Sequence, residues 1–301
     1  APDKLILAGS LDPTHLLGLA IYRAGFILPS AVTLSDLIPR TLAVASSAQG
    51  LNLRRRFFQN LLGSWIWLLL MNRCMLSVLQ IEVFKHATGP PTGTLQLCSQ
   101  ARHDLICLVK SVPALVVDMS LPNSKHIVAS DACETGGAVV STPATHLEFE
   151  TVWKDRCRKG WYSTLLDVDD DTGNISLVMS TQLRDLLLCK SQSQWRNDVV
   201  VRWKHQDHIT YLEAAIVVAG LHQRLARGMF GECVPWLVDS AAALGALARG
   251  RSSSISLNAA CRKVAGLVAA GELKPVWCWV ATSLQPADAP SRTFENEDCP
   301  E

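Results

Sequence analysis

From residue 125 onward, short apolar runs alternate with longer helical ones. No other feature of the chain limits its fold so tightly. The runs "KHIVASDA", "GGAVVST", "CVPWLVDS" and "LKPVWCWVA" have the length and the β-branched or aromatic content of strands. Around them, "ITYLEAAIVVAGLHQRLARG" (209–228), "AAALGALARG" and "LNAACRKVAGLVAAG" (257–271) are patterned as helices. This alternation predicts an α/β layered domain: a mixed sheet with some parallel pairing and flanking helices.

Upstream the character is different. Residues 53–87 have few breakers and polar residues at helical spacing, and "GPPTG" (89–93) ends them. Residues 97–112 give a second helix, and "LPNS" (121–124) marks a turn where the periodicity changes. Two regions follow from this: a mainly helical one over 1–120 and the layered one over 121–301. Within the second, 150–205 is polar and irregular around "DVDDDTGN", which predicts a peripheral insertion or extended hairpin with an exposed loop.

The chain is 49% hydrophobic and 18% charged, enough apolar material for a real core. Ten cysteines show no Cys-x-x-Cys pair and no zinc spacing. That suits a reduced intracellular protein, cytoplasmic or nuclear. The start lacks a signal-peptide pattern and an initiating Met, as expected of a fragment or a processed product. The most apolar segment, "LLGSWIWLLLMNR", stops at Asn72 and Arg73, short of the roughly 20 residues a bilayer requires, and reads as a buried helix.

Four acids stand out. Asp131 ends the apolar run "HIVASDA", and Asp239 ends "PWLVD". Either could be a turn or helix cap. Glu213 sits in a strongly apolar helix, where it could equally complement the helix dipole. Asp288 lies among small residues and prolines in "WVATSLQPADAPSR". Four carboxylates gathered at one crevice repel one another strongly, and divalent cations would neutralise them. Hard cations such as magnesium prefer oxygen ligands, and two of them about 4 Å apart suit phosphodiester hydrolysis.

The segments "ASDACETGGAVV", "HITYLEAAIVVAGL", "LVDSAAALGALARGRS" and "WVATSLQPADAPSR" resemble, in order, the four signature segments of the ribonuclease H domain of retrotransposon reverse transcriptases, nearest the DIRS-like elements. The resemblance covers about 125–292. It implies a ribonuclease H-like fold with Asp131, Glu213, Asp239 and Asp288 holding two Mg²⁺ or Mn²⁺ ions, and an RNA–DNA hybrid as partner. Ser240 and Arg292, which neighbour two of these acids, would meet nucleic acid. More weakly, 15–32 and "NLRRRFFQNLLGSWIWLLL" resemble the polymerase–thumb region, with fingers and palm expected before residue 1. Arg54, Arg55 and Arg56, like the tract 202–208, are basic with aromatic neighbours and could contact phosphates, or could simply be solvated faces.

The chain departs from the family in places. The spacing from Asp131 to Glu213 is long, Gln285 and Thr282 stand where Asn and Pro are usual, and no histidine follows residue 240. "DVDD" at 167–170 imitates a polymerase aspartate pair but falls after the first ribonuclease motif. Read as a calcium loop it fails, because position twelve is Val178. The alternative to a nuclease is a domesticated or decayed fragment acting as a structural or nucleic-acid-binding module. An integrase or transposase would be expected to end its acid set in Glu, where this chain has Asp288.

Overall fold

The computed structural model describes residues 13–47, 52–157 and 179–295, with the backbone of two short strands at 167–168 and 175–176. The chain divides into two compact units, 1–120 and 121–301.

The first unit opens with a meander, β1 (Thr14–Leu16), β2 (Leu19–Ile21) and β3 (Phe26–Pro29). Leu17 and Gly18, both at positive φ, make the tight turn between β1 and β2. Helix α1 (Ala31–Ser46) starts at Ser30, whose hydroxyl accepts the Thr33 N–H. The two-residue strand β4 (Leu53–Arg54) leads into α2 (Arg55–Leu69), followed by α3 (Ile81–Ala87), β5 (Thr94–Leu95, paired with β4), α4 (Ser99–Lys110) and β6 (Val117–Asp118, paired with β3). Phe58, Leu61, Trp65 and Leu68 of α2 are buried with Leu105 and Leu108 of α4. Trp65 reaches its hydrogen-bond partner inside this core, donating Nε1–H to Thr41 at 2.8 Å.

Two expectations for this unit need correction. The meander at 14–29 is strand, not helix. The continuous helix expected over 53–87 is broken between Leu69 and Ile81 by a 3₁₀ turn at Arg73–Val78. Polar side chains compete for the backbone there. Asn72 donates to the Ala114 carbonyl, and the buried Asp104 carboxylate accepts the Gln80 N–H at 2.9 Å, supplying the start of α3.

The second unit is built on β7 (His126–Ala132), β8 (Gly136–Pro143), β11 (Arg196–Arg202), β12 (Cys233–Val238) and β13 (Lys274–Trp279). Their order across the sheet is β11-β8-β7-β12-β13. β7, β8 and β11 pair antiparallel, while β7, β12 and β13 run parallel. The remaining elements in chain order are α5 (His146–Lys154), the small ladder of β9 (Asp167–Val168) and β10 (Ile175–Ser176), α6 (Thr181–Cys189), α7 (Ile209–Ala226), α8 (Ala241–Arg249), α9 (Ile255–Gly271) and α10 (Asp288–Ser291). The mixed sheet with flanking helices expected of a ribonuclease H-like chain is present.

Both faces of the sheet are covered. Ile127, Ala129, Val140 and Leu237 pack with Val152 of α5 and with Leu183 and Leu187 of α6. On the opposite face α7 lies close: a Cβ on Gly220 would sit 2.9 Å from both Val139 and the Trp236 ring. Trp236 donates Nε1–H to Ser130 at 2.9 Å within this layer. The reading of 150–205 as peripheral is overturned at its C-terminal end. β11 is an edge strand of the main sheet, and α6 buries two leucines in the core. Its polar sequence belongs to an edge strand with one wet side, not to an insertion. Most of "DVDDDTGN" lies outside the described residues.

A candidate metal centre at the strand ends

The register of the sheet places the first two acids. β7 and β12 run parallel with Leu237 opposite Ala129. Two residues further on, Asp239 arrives beside Asp131 at the same edge, where the carboxyl ends of parallel strands open a crevice. Asp131 is still within β7 and is 4% exposed, whereas Asp239 is one residue past β12 and half-buried.

Glu213 comes from α7. Residues 213, 217, 220 and 224 are buried along one stripe of that helix, at spacings of four, three and four. The Gly220 contacts show that this stripe faces the sheet. Glu213 therefore points inward, one turn beyond the position where it would serve the helix dipole. One carboxylate oxygen from each of Asp131, Glu213 and Asp239 lies within 4.8 Å of the other two.

The electrostatics follow from this crowding. Burial pushes the Glu213 carboxyl up to about 9, and the charges of Asp131 and Asp239 add to it, against a hydrogen bond from the backbone of Ala132. Burial likewise pushes Asp131 up to about 6; a hydrogen bond from Ser291 opposes this, and Asp239 and Asp288 reinforce it. Glu213 Oε2 and Asp239 Oδ1 are buried without a hydrogen-bond partner. Unpartnered buried carboxylate oxygens are costly, and an all-oxygen donor set suits a hard divalent cation. The triplet fits a metal ion on both counts.

The capping alternatives are filled by other residues. Ser240, not Asp239, caps α8, its hydroxyl accepting the Ala243 N–H at 3.4 Å. His208 caps α7 by accepting the Thr210 N–H. Asp288 stands outside the triplet. It opens α10, is partly exposed, and pairs with Arg292 Nε at 3.0 Å. Arg292 also meets Glu295. Asp288 is still near enough for its charge to raise Asp131.

The basic residues are dispersed. Arg54 and Arg56 are exposed in the first unit. Arg55 is half-buried and turned onto the 89–94 loop, donating to the carbonyls of Pro90 and Thr94. Its side chain is thus committed to the fold, and neither a phosphate contact nor a freely solvated face, the two readings of this tract, describes it. In the second unit, Arg202, Trp203, Lys204 and His205 line a cavity of about 170 Å³ with Glu134 and Thr135 of the β7–β8 turn.

Two residues of the last segment have roles at the site that the sequence does not assign. Ser291 places its hydroxyl 2.5 Å from Asp131 Oδ2, and Gln285 donates to the Ser130 carbonyl at 3.1 Å. Both lie in the segment "WVATSLQPADAPSR", but nothing local reveals what they hold, because their partners lie more than 150 positions away in the chain.

No protein-family model matches the chain. No curated protein matches it either. Among solved structures, it is similar to a foamy viral protease-reverse transcriptase in complex with an RNA/DNA hybrid, at 11% identity and a TM-score of 0.26. The alignment covers 92% of this chain and 52% of that one, so the chain spans about half its length.

Proposed function

We propose that the second unit is a metal-dependent nuclease that cuts the RNA strand of RNA–DNA hybrids, and that residues 1–120 are the thumb-like region preceding it in a retroelement reverse transcriptase. The observation that carries the nuclease reading is the convergence of Asp131, Glu213 and Asp239 with two buried, unpartnered oxygens. The choice of a hybrid substrate rests on the resemblance of the four segments.

Asp131, Glu213 and Asp239 would hold the ions, with Asp288 contributing from the open side of the site. When bound, two Mg²⁺ or Mn²⁺ ions supply Lewis-acid activation of water and charge stabilisation at the leaving oxygen. The chain's own part is to fix three carboxylates on a rigid sheet edge and a buried helix, so that little reorganisation accompanies reaction. The half-buried Asp239 and partly exposed Asp288 leave one side open to a polymer. No described helix is long and apolar enough to cross a membrane.

The test is cleavage of an end-labelled hybrid by the purified chain with Mg²⁺, Mn²⁺ or chelator. RNA-strand products, a 5′ phosphate and a 3′ hydroxyl, are expected only with metal, while single-stranded RNA and duplex DNA survive. The Asp288–Arg292 ion pair favours one other reading, a nucleic-acid-binding module that no longer cuts. Hybrid binding without cleavage at any metal concentration would establish that reading instead.

A further inference from the structure

Ser291 closes α10 and is fully buried. Its hydroxyl lies 2.5 Å from Asp131 Oδ2 and 2.8 Å from the Asp288 carbonyl oxygen. It has one proton to give, and a carboxylate is the stronger acceptor. The surroundings fix its place. The Ser291 carbonyl accepts from the Cys133 thiol at 3.2 Å, and a Cβ on Gly136 would sit 2.9 Å from that same carbonyl oxygen. On the other side of Asp288, Gln285 holds the Ser130 carbonyl. The segment that carries Asp288 is thus fastened to consecutive residues of β7, Ser130 and Asp131.

We propose that Ser291 is a positioning residue of the metal centre, holding the Asp131 carboxylate in the orientation that presents its free oxygen to a cation. This rests on reading Asp131 as a metal ligand. A buried carboxylate facing two others is driven to rotate away from them, and its two side-chain torsions permit that. The Ser291 hydroxyl pins Oδ2 and leaves Oδ1 for the cation. It also ties that orientation to the segment bearing Asp288, so the first and last acids are set together. Loss of such a partner behind a ligand typically costs about 10–100-fold in metal affinity or activity. The plain alternative is a serine that only back-bonds to the Asp288 carbonyl within its helix, a common habit of the residue. That role would affect stability and leave metal binding alone.

The experiment titrates Mn²⁺ into the whole chain by calorimetry, without nucleic acid, for wild type, Ser291→Ala, Asp131→Asn and the double variant. Melting curves accompany each, and Mg²⁺ dependence of hybrid cleavage is recorded for wild type and Ser291→Ala. Ser291→Ala should weaken Mn²⁺ binding about tenfold or more and raise the half-saturating Mg²⁺ by the same factor. The hybrid KM at saturating metal should not change. In the Asp131→Asn background the further loss should vanish, since the serine acts through that carboxylate. Should Ser291→Ala melt below the assay temperature, Ser291→Cys takes its place with a smaller loss expected. Wild-type metal affinity in the variant overturns the proposal, as does an undiminished effect in the Asp131→Asn background. A wild type that binds Mn²⁺ but cuts nothing ends the nuclease reading alone, because the affinities still judge Ser291. A wild type that binds no Mn²⁺ ends both.

Discussion

Asp239 stands beside Asp131 because, two residues earlier, Leu237 pairs with Ala129 across a parallel ladder. That register is strongly held. A slip of one residue would turn Leu237 out of the cluster it shares with Ile127 and Val140, and would take the Trp236 N–H away from Ser130. The acids at the strand ends are therefore placed by the apolar packing of the residues that precede them on each strand. The crowding between them is imposed by the fold, and a bound proton or a cation must relieve it.

Glu213 makes this repulsion measurable. Its carboxyl is pushed up to about 9 from an ordinary value of 4.5. The folded state thus holds a proton that the unfolded chain has released, and stability falls as pH rises through that window. Metal-free protein should lose melting temperature between about pH 4.5 and about pH 9. Glu213→Gln should flatten that slope and melt above wild type at pH 8. A wild type and variant with parallel melting profiles across this range would contradict the burial of a strained carboxylate.

Binding of Mn²⁺ should also release protons. At pH 7 the free Glu213 is mostly protonated, and a ligand must be a carboxylate, so the metal displaces about one proton. Calorimetry in two buffers of different ionisation heat reads that number directly. Equal heats in both buffers would mean that Glu213 does not serve as a ligand. Glu213→Gln should abolish the buffer dependence along with most of the affinity.

How much of this was legible in the sequence depends on distance along the chain. β7, β12 and β13 showed themselves as apolar runs, and Asp131 and Asp239 as acids ending two of them, because strand patterning is local. Glu213 was visible as an odd acid in an apolar helix. Its inward aim could be known only once the Gly220 contact oriented α7. β11 was missed because an edge strand with one wet side reads as polar. The meander at 14–29 was missed because a Leu-Gly turn at positive φ leaves little trace between leucines. Ser291 stands in the last signature segment, but its role was not legible, because that role is a hydrogen bond to a residue 160 positions away.

Arg55 separates a structural cation from a ligand-facing one. Gly89 and Gly93 make room for its guanidinium; a Cβ on either would lie under 3 Å from Nη1. Arg55→Ala should lower stability by about 1 kcal/mol, the net value of a hydrogen bond or two at a half-exposed site. It should leave the salt dependence of nucleic-acid binding unchanged. Arg54→Ala and Arg56→Ala remove exposed charges and should leave the melting temperature within about 1 °C of wild type. If this face meets phosphates, each should also lower the salt slope by about one. Equal melting losses for all three would refute the distinction.

Asp239 and its neighbour Ser240 give the sharpest contrast. Ser240 caps α8 and Asp239 does not, while Asp239 Oδ1 is buried without a partner. Asp239→Asn keeps the shape and removes a charge. Metal-dependent cleavage should fall at least about a hundredfold, the order seen when one transition-state stabiliser is lost. Melting temperature should hold or rise in the metal-free state, because one of the crowded carboxylates can no longer carry a charge. Ser240→Ala should do the reverse in stability, costing about 1 kcal/mol through the lost cap. Its half-saturating Mg²⁺ should stay at the wild-type value. The two variants are one residue apart, so a general disturbance of the β12–α8 junction would move both in the same direction. Opposite signs in melting, with the metal response lost only at Asp239, are what a metal ligand set beside a helix cap requires. If Asp239→Asn melts lower than wild type without metal and binds Mn²⁺ as wild type does, Asp239 is not a ligand.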